Sequence, residues 1–380
     1  MLQPKLRFKN FNEEWVEKKI EEFYPFIRNG FVGIATPFYC EKGVKYLQSN
    51  NIHDGKINEK ILKYITLEFH QKNIKNELKE DDILMVQSGH AGECAVVGKK
   101  YIGCNCHALI ILSSNKRSNS YFVSYYLNSE KGKKSLIPLL IGNTIIHILA
   151  SDIKKHKIFF PRLEEQEKIA DFLSSVDVKI NLTENKLELL KEFKKGIMQK
   201  ILNQELRFKD ENGNDYPKWE KKKFNKVLKI GNGKDYKNLN VGEIPVYGTG
   251  GLITKVNDFL YDGESVGIGR KGTINKPMFL TGKFWTVDTL FYTYDFKDSL
   301  PKFIYYIFNN IDWLTYNEAT GVPSLSKSTI LKISNFFPCL EEQQKIADFL
   351  SSIDNKIEKI SSKLEELKEF KKGLLQQMFV

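Results

Sequence analysis

Several signatures of catalysis are missing from this chain. Histidine is sparse, with His53, His70, His90, His107, His147 and His156 the full set, and no H-E-x-x-H pattern among them. A helical zinc site of the metalloprotease kind is thereby excluded. The segment Gly231-Asn232-Gly233-Lys234 lacks both the spacing and the following Ser or Thr of a phosphate-cradling Walker A loop. The one G-x-G-x-x-G, at 267–272, leaves a strand pattern but is followed by Thr273-Ile274-Asn275-Lys276-Pro277 rather than by a helical pattern, so it lacks the context of a dinucleotide-binding turn. No two of the 11 prolines are adjacent, which rules out an Asn-Pro-Pro or Asp-Pro-Pro methyltransferase loop. Glu and Lys are so frequent that an acidic nuclease pattern would carry no information. No catalytic residue, no metal and no cofactor is assigned to the chain, which reads as a reader and scaffold.

Long apolar runs are also lacking. The best, 136–150, is interrupted by Pro138, Gly142, Asn143, Thr144 and His147, and the amino terminus MLQPKLRFKNFNEEW is charged from its start. No membrane span or signal core is expected. Only 5 cysteines occur, which fits a reducing, cytoplasmic setting. Cys94, Cys104, Cys106 and His107 lie close in sequence, but their spacing matches no common zinc knuckle. The expectation is a strand over 102–112 with reduced, half-buried thiols. Lys and Arg number 58 against 47 Asp and Glu, for a net charge of +11. That excess favours a polyanionic partner without specifying one.

What the sequence does contain is a repeat. Residues 163–202 recur at 340–379 without a gap, every pair offset by 177 positions and about two thirds of the pairs identical. Both copies read as one long helix of roughly 60 Å. In the second, Ile346, Leu350, Ile353, Ile357, Ile360, Leu364 and Leu367 alternate steps of four and three, a heptad seam. Ile169, Leu173, Val176, Ile180, Thr183, Leu187 and Leu190 hold the same places in the first. So narrow an apolar stripe suits a second helix of the same kind. The alternative is that each helix packs only on its own globular neighbour. Each copy opens acidic and closes basic, so antiparallel pairing sets acid beside base. That arrangement gives a pseudo-two-fold relation within one chain.

The repeat extends to a lead-in, Leu6-Arg7-Phe8-Lys9 with Trp15 and again Leu206-Arg207-Phe208-Lys209 with Trp219. The unit is thus lead-in, globular domain, helix. The fold class is α+β: two small α+β domains joined by two long helices in an antiparallel coiled coil. The expected boundaries are 1–160 and 204–338 for the domains, and 161–203 and 339–380 for the helices. Within the first domain, 82–86 and 94–97 read as strands, and 120–127 and 135–149 as helical. In the second, 265–268 is a strand and 303–308 a helix.

The helices barely differ while the domains share only landmarks. Identity off the seam (Glu164, Gln166, Lys168, Asp171, Phe172, Ser174, Ser175, Asp177) suggests one face shown twice to one kind of partner. Phe172 and Phe349 would be apolar anchors for it, or would pack under their own domains.

The duplicated blocks F-F-P-x-L-E-E-Q-x-K-I-A-D-F-L at 159–173 and 336–350, the paired lead-ins and the two divergent domains together resemble the specificity subunit of Type I restriction–modification systems. The resemblance covers nearly the whole chain. It implies that each domain is a target recognition domain for one half of a bipartite, asymmetric DNA site, and that the coil sets the spacer. It also implies two methyltransferase subunits using S-adenosylmethionine to methylate adenine at N6, and restriction subunits using ATP and Mg²⁺, with all catalysis on those other chains. Candidate methyltransferase contacts are Glu164, Gln166, Lys168, Asp171 and Phe172, with Glu341, Gln343, Lys345, Asp348 and Phe349.

Candidate DNA contacts come first from two G-x-x-G turns, where glycine permits close approach to phosphate and the intervening side chains project. These are Gln87, Ser88, Gly89, His90 and Gly92, and Gly269, Arg270, Lys271 and Gly272. Polar groups in glycine-rich loops follow: Asn143, Thr144, Tyr247, Thr249, Ser324, Ser326 and Lys327. The rival readings are a coiled-coil adaptor that binds protein without reading DNA, and a nuclease in its own right.

Overall fold

The computed structural model describes residues 3–380. It divides into two units, one of residues up to Glu184 together with Lys363–Val380, the other of Asn185–Ser362. Each unit therefore holds one globular domain, the opening turns of the long helix that follows it, and the closing turns of the other long helix. The helices run Leu163–Leu202 and Leu340–Gln377. Their seam positions are buried or half-buried throughout, as the heptad pattern requires.

Pairing within each unit is antiparallel. In the first, Lys371 meets Asp177 at 2.6 Å and Lys368 meets Glu184 at 3.0 Å. In the second, Lys194 pairs with Asp354. The pairs Asp177–Lys371 and Asp354–Lys194 are the same contact after the 177-residue offset. Charge order along the helices, acidic first and basic last, makes this sense of pairing the favourable one.

Each domain opens and closes on a two-stranded antiparallel ribbon. Val16–Lys19 pairs with Lys157–Phe160, and Glu220–Lys223 with Ser334–Phe337. Pro161 and Pro338 then end the ribbon, and the long helix starts. Gln166 and Gln343, in the opening turns, each donate to the carbonyl of that proline at 2.9 Å.

The central sheet has one topology in both units. Phe26–Asn29, Leu109–Ser113, Ile83–Val86 and Cys94–Val96 lie side by side in the first, all antiparallel. Lys229–Asn232, Leu290–Tyr294, Ser265–Gly269 and Met278–Leu280 do so in the second. Ile83–Val86, Leu109–Ser113 and Ser265–Gly269 are buried along their whole length. Their continuous apolar or small residues suit strands covered on both faces. A second sheet in each unit contains a parallel pair, Val44–Leu47 with Asn105–Cys106 and Val241–Gly248 with Lys283–Thr286. Its fourth strand sits on opposite edges in the two units. That is where the domains part company.

Two expectations need correction. Residues 102–112 are not one strand: Gly103 and Ala108 take φ of 79° and 48°. Asn105–Cys106 and Leu109–Ser113 therefore enter different sheets. Cys104 and Cys106 are buried rather than half-buried, and burial pushes their thiols up to about 11 and about 12. Residues 135–149 are not one helix either. Glu130–Leu136 continues as a short 3-10 turn, Ile137–Leu139, and the chain then forms a tight loop closed by reciprocal hydrogen bonds between Ile141 and His147, 2.9 and 2.8 Å. Pro138 and Gly142 stop the helix. No helix among the described residues is long and apolar enough to cross a membrane.

All six histidines belong to the first unit. Burial holds the His107 and His156 imidazoles below their ordinary value. A depressed folded pKa means that the unfolded state binds the proton first. The stabilisation is present above about pH 6.5 and lost as pH falls through the folded values. Between pH 7 and 5, amide protection by hydrogen exchange is expected to fall further in the first unit than in the second, and His156→Gln should narrow the gap. An equal fall in both units, unaltered by that substitution, would contradict the assignment.

Candidate nucleic-acid interface

In the second unit the buried strand Ser265–Gly269 delivers the turn 269–272. A side chain at Gly269 would place its Cβ 2.2 Å from the Thr273 carbonyl oxygen, so only glycine lets the backbone fold back this closely. The turn is then held by main-chain bonds on both sides. Arg270 N donates to Thr289 O (2.7 Å), Gly272 N to Pro323 O (2.8 Å), and Leu325 N to Arg270 O (2.9 Å), while Lys271 bridges to Ser324. With their backbone groups satisfied internally, the Arg270 and Lys271 side chains stand exposed.

The other candidates gather around this turn. Tyr247 accepts a hydrogen bond from Val287 N at 3.0 Å, and Thr249 lies beside Gly272; both are half-buried. Ser324 is fixed by its N–H donating to Asn317 Oδ1 at 2.9 Å. Ser326 is committed structurally: its hydroxyl caps the helix Lys327–Lys332 and donates to Glu318 at 2.8 Å. The Lys327 ammonium lies 5.8 Å from the Phe291 ring centroid, and burial followed by the nearby Arg270 charge holds its pKa below the ordinary lysine value. A cation so placed gains most from an anion that approaches both groups.

The first unit brings together the corresponding elements with different side chains. Ile83–Val86 delivers Gln87, Ser88, Gly89, His90 and Gly92. Ser88 Oγ lies 2.6 Å from His147 Nδ1, Gly89 N donates to Ile146 O (3.0 Å), and Ile148 N to Gln87 O (3.0 Å). The turn is thus stitched to the loop 141–147, whose tip exposes Asn143 and Thr144. Gly142 takes φ +99° there, and a Cβ on it would come 2.3 Å from Ile145 O. No arginine or lysine occupies these positions; the surface offers amide, hydroxyl and imidazole groups beside exposed Ile141, Ile145 and Ile146. One scaffold thus presents a cationic surface in one unit and a neutral, partly apolar one in the other.

On the helices, the structure separates the repeated residues into two groups. Glu164, Lys168 and Asp171 are exposed, as are Glu341 and Asp348. Gln166 and Gln343 are buried and bonded within their own unit, Gln166 to Ser118 and Asn119 and Gln343 to Leu300 and Asp298. Phe172 and Phe349 are half-buried under their own lead-ins, edge-on to Phe8 (5.9 Å) and Phe208 (5.5 Å). Lys345 donates to Lys209 O at 2.9 Å. Within the chain, Ser174 and Asp177 hold Tyr125, and Ser351 and Asp354 hold Tyr306 in the same way.

The sequence reading missed a clamp. Glu165 is 2% exposed and accepts from Arg7 Nε and Nη2 (2.7 and 2.8 Å) and from Trp15 Nε1 (3.4 Å). Glu342, fully buried, accepts likewise from Arg207 (3.1 and 2.6 Å) and Trp219 (3.0 Å). The signal was there: Arg and Trp repeat in the lead-ins and Glu repeats in the helices. It fixes each domain on its helix.

Residues 12–192 and 216–369 match a family model described as type I restriction modification DNA specificity domain. Over 415 aligned residues the chain is 26% identical to the type I restriction enzyme MjaVIII specificity subunit of Methanocaldococcus jannaschii, spanning 96% of this chain and 91% of that one. It is 25% identical to the putative MjaX specificity subunit of the same organism, spanning 96% and 92%. The crystal structure of a type I restriction–modification S subunit from M. genitalium superposes with a TM-score of 0.68 at 17% identity, over 100% of this chain and 99% of that chain. At that identity the likeness is one of fold.

Proposed function

Because the chain belongs to the type I restriction–modification DNA specificity family, we propose that it selects the DNA sequence on which such a complex acts, with one half of a bipartite, asymmetric site read by each domain. The observation that carries this reading is the pair of turns, 86–89 and 269–272, in which Ser88 bridges to His147 as Lys271 bridges to Ser324. Each ends a buried strand, each is tied to a second loop, and each displays different side chains on the same backbone plan. Stiff backbone with variable side chains is what readout of two unrelated half-sites needs.

In the same proposal the long helices set the spacer and dock two methyltransferase subunits. Those subunits bring S-adenosylmethionine, extrude the target adenine and methylate it at N6. Restriction subunits, with ATP and Mg²⁺, join the same complex in the cytoplasm. Glu164, Lys168 and Asp171, with Glu341 and Asp348, are the exposed positions from which docking would proceed, and Phe172 and Phe349 border them.

Arg270 is assigned a guanine edge or a phosphate. In the complex with methyltransferase subunits, Arg270→Ala is expected to cost about 1–3 kcal/mol of binding, roughly 5- to 150-fold. Relaxed preference at one base pair identifies base readout; uniform weakening with a shallower salt dependence identifies a phosphate contact. No change in either measure would remove Arg270 from the interface. Affinity for duplex DNA that does not fall with salt would favour a protein-binding adaptor instead.

A further inference from the structure

We propose that His53, His90 and Glu93 bind a divalent transition-metal ion, zinc being the best match, and that the ion ties the hairpin carrying His53 to the turn 88–92. Among the described residues this is the group of three such side chains that converges, its ligand atoms all within 4.8 Å of one another. His53 Nδ1 lies 4.0 Å from Glu93 Oε2, and His90 Nε2 lies 3.7 Å from the same oxygen. Tetrahedral ligands at zinc distances are about 3.3 Å apart. The approach needed is thus a fraction of an ångström to the carboxylate and somewhat more between the two rings.

The surroundings fix the backbone beneath the ligands and leave their side chains open to solvent. His53 sits in the hairpin of Ile52–His53 with Lys56–Ile57, whose turn residues Asp54 and Gly55 take φ of 53° and 76°. Ile52, next to it, is fully buried and anchors that strand. The second carboxylate oxygen of Glu93 accepts from the Asp54 backbone N–H, which orients the carboxylate from outside the site. The side chains of Glu93, His90 and His53 are 16%, 35% and 50% exposed, so a hydrated ion can reach all three.

Charge and softness choose the ion. The two imidazoles stack at 4.9 Å and 16° beside a single carboxylate. Two neutral ring nitrogens and one carboxylate suit a borderline-soft dication, with water at the fourth position. The set is wrong for Mg²⁺ or Ca²⁺, which take oxygen ligands. His90 Nε2 donates to Ile52 O at 3.1 Å, so the ion takes that proton's place once the ring turns away from the carbonyl. The sequence hid this site because His53 and His90 are 37 positions apart and joined by no familiar ligand spacing.

His90 lies two residues from Ser88, which is stitched to the loop 141–147, so the ion would stiffen the first unit's turn. That consequence rests on the DNA-reading proposal; the binding itself does not. The test uses the full chain, stripped of metal by chelator and titrated with Zn²⁺, Co²⁺ and Mg²⁺ by calorimetry and visible absorption. One Zn²⁺ per chain is expected, with a four-coordinate Co²⁺ spectrum and no Mg²⁺ response. Saturating Zn²⁺ should raise the melting temperature. His53→Ala/His90→Ala should abolish all three signals, and Glu93→Gln should weaken binding at least tenfold, while far-ultraviolet circular dichroism stays unchanged. Cys40→Ser/Cys339→Ser should leave them intact. Absence of Zn²⁺ binding, binding retained in the double histidine variant, or equal binding of Mg²⁺ would overturn the proposal.

Discussion

Glu342→Ala is expected to destabilise the second unit by about 3–5 kcal/mol, the usual cost of stripping one partner from a buried ion pair. The Glu342 carboxylate is fully buried and accepts three hydrogen bonds, two from Arg207 and one from the Trp219 indole. Removing it strands a partly desolvated guanidinium and a buried N–H. Arg207 also donates to the Tyr216 and Pro217 carbonyls and remains about a quarter exposed, so the lower end of that range applies. Glu165→Ala should cost more in the first unit, because the Arg7 side chain is only 10% exposed. Glu342→Gln, which keeps the shape and one acceptor, should cost less than the alanine variant. Replacing both partners with apolar residues of similar size should recover most of the loss. Hydrogen exchange of Glu220–Lys223 and Ser334–Phe337 against denaturant reads the effect; a loss below about 1 kcal/mol would show that the clamp is ornamental.

Phe379→Ala should damage the first unit and spare the second. The Phe379 ring is fully buried against Phe122 (5.4 Å) and Tyr126 (5.8 Å), and its carbonyl accepts from Lys131 at 2.6 Å. The helix Ser120–Asn128 is therefore closed by a side chain some 250 positions downstream in sequence. Truncating a buried phenylalanine costs about 3–5 kcal/mol in lost transfer energy and cavity. Protection of Ser120–Asn128 is expected to fall while that of Pro301–Asn310 holds. The functional counterpart is loss of one half-site only. Equal loss in both helices would contradict the division of the chain into units that borrow each other's helix ends.

Much of the architecture was legible because the helices carry it in local pattern. The seam from Ile346 to Leu367 announces a helix that needs another helix, and the acid-to-base order of each copy sets the sense of pairing, realised as Asp177–Lys371 and Lys194–Asp354. The G-x-x-G turns were legible only in part: Gly89 and Gly272 take positive φ at matching places, whereas Gly269 is still in its strand and Gly92 has no counterpart there. What stayed hidden depends on distant partners. Arg7 and Glu165 are 158 positions apart, and nothing in the periodicity of either stretch reveals the other. The tract 135–149 has apolar residues at helical spacing, but the bonds that turn 141–147 into a loop go to Ser88 and Gly89. Cys104 and Cys106 alternate like strand residues, yet the positive φ at Gly103 and Ala108 divides the segment between two sheets. The identity of Gln166 and Asp177 with Gln343 and Asp354 looked like a partner's footprint. Contacts within each unit already account for it.

The most direct measurement is a genome-wide map of N6-methyladenine in cells supplying methyltransferase subunits, with this chain and with a variant altered at Arg270, Lys271 and Ser324. One bipartite motif is expected, which disappears without the chain and changes in a single half with the variant. A motif that survives loss of the chain, or one whose two halves change together, would contradict this expectation.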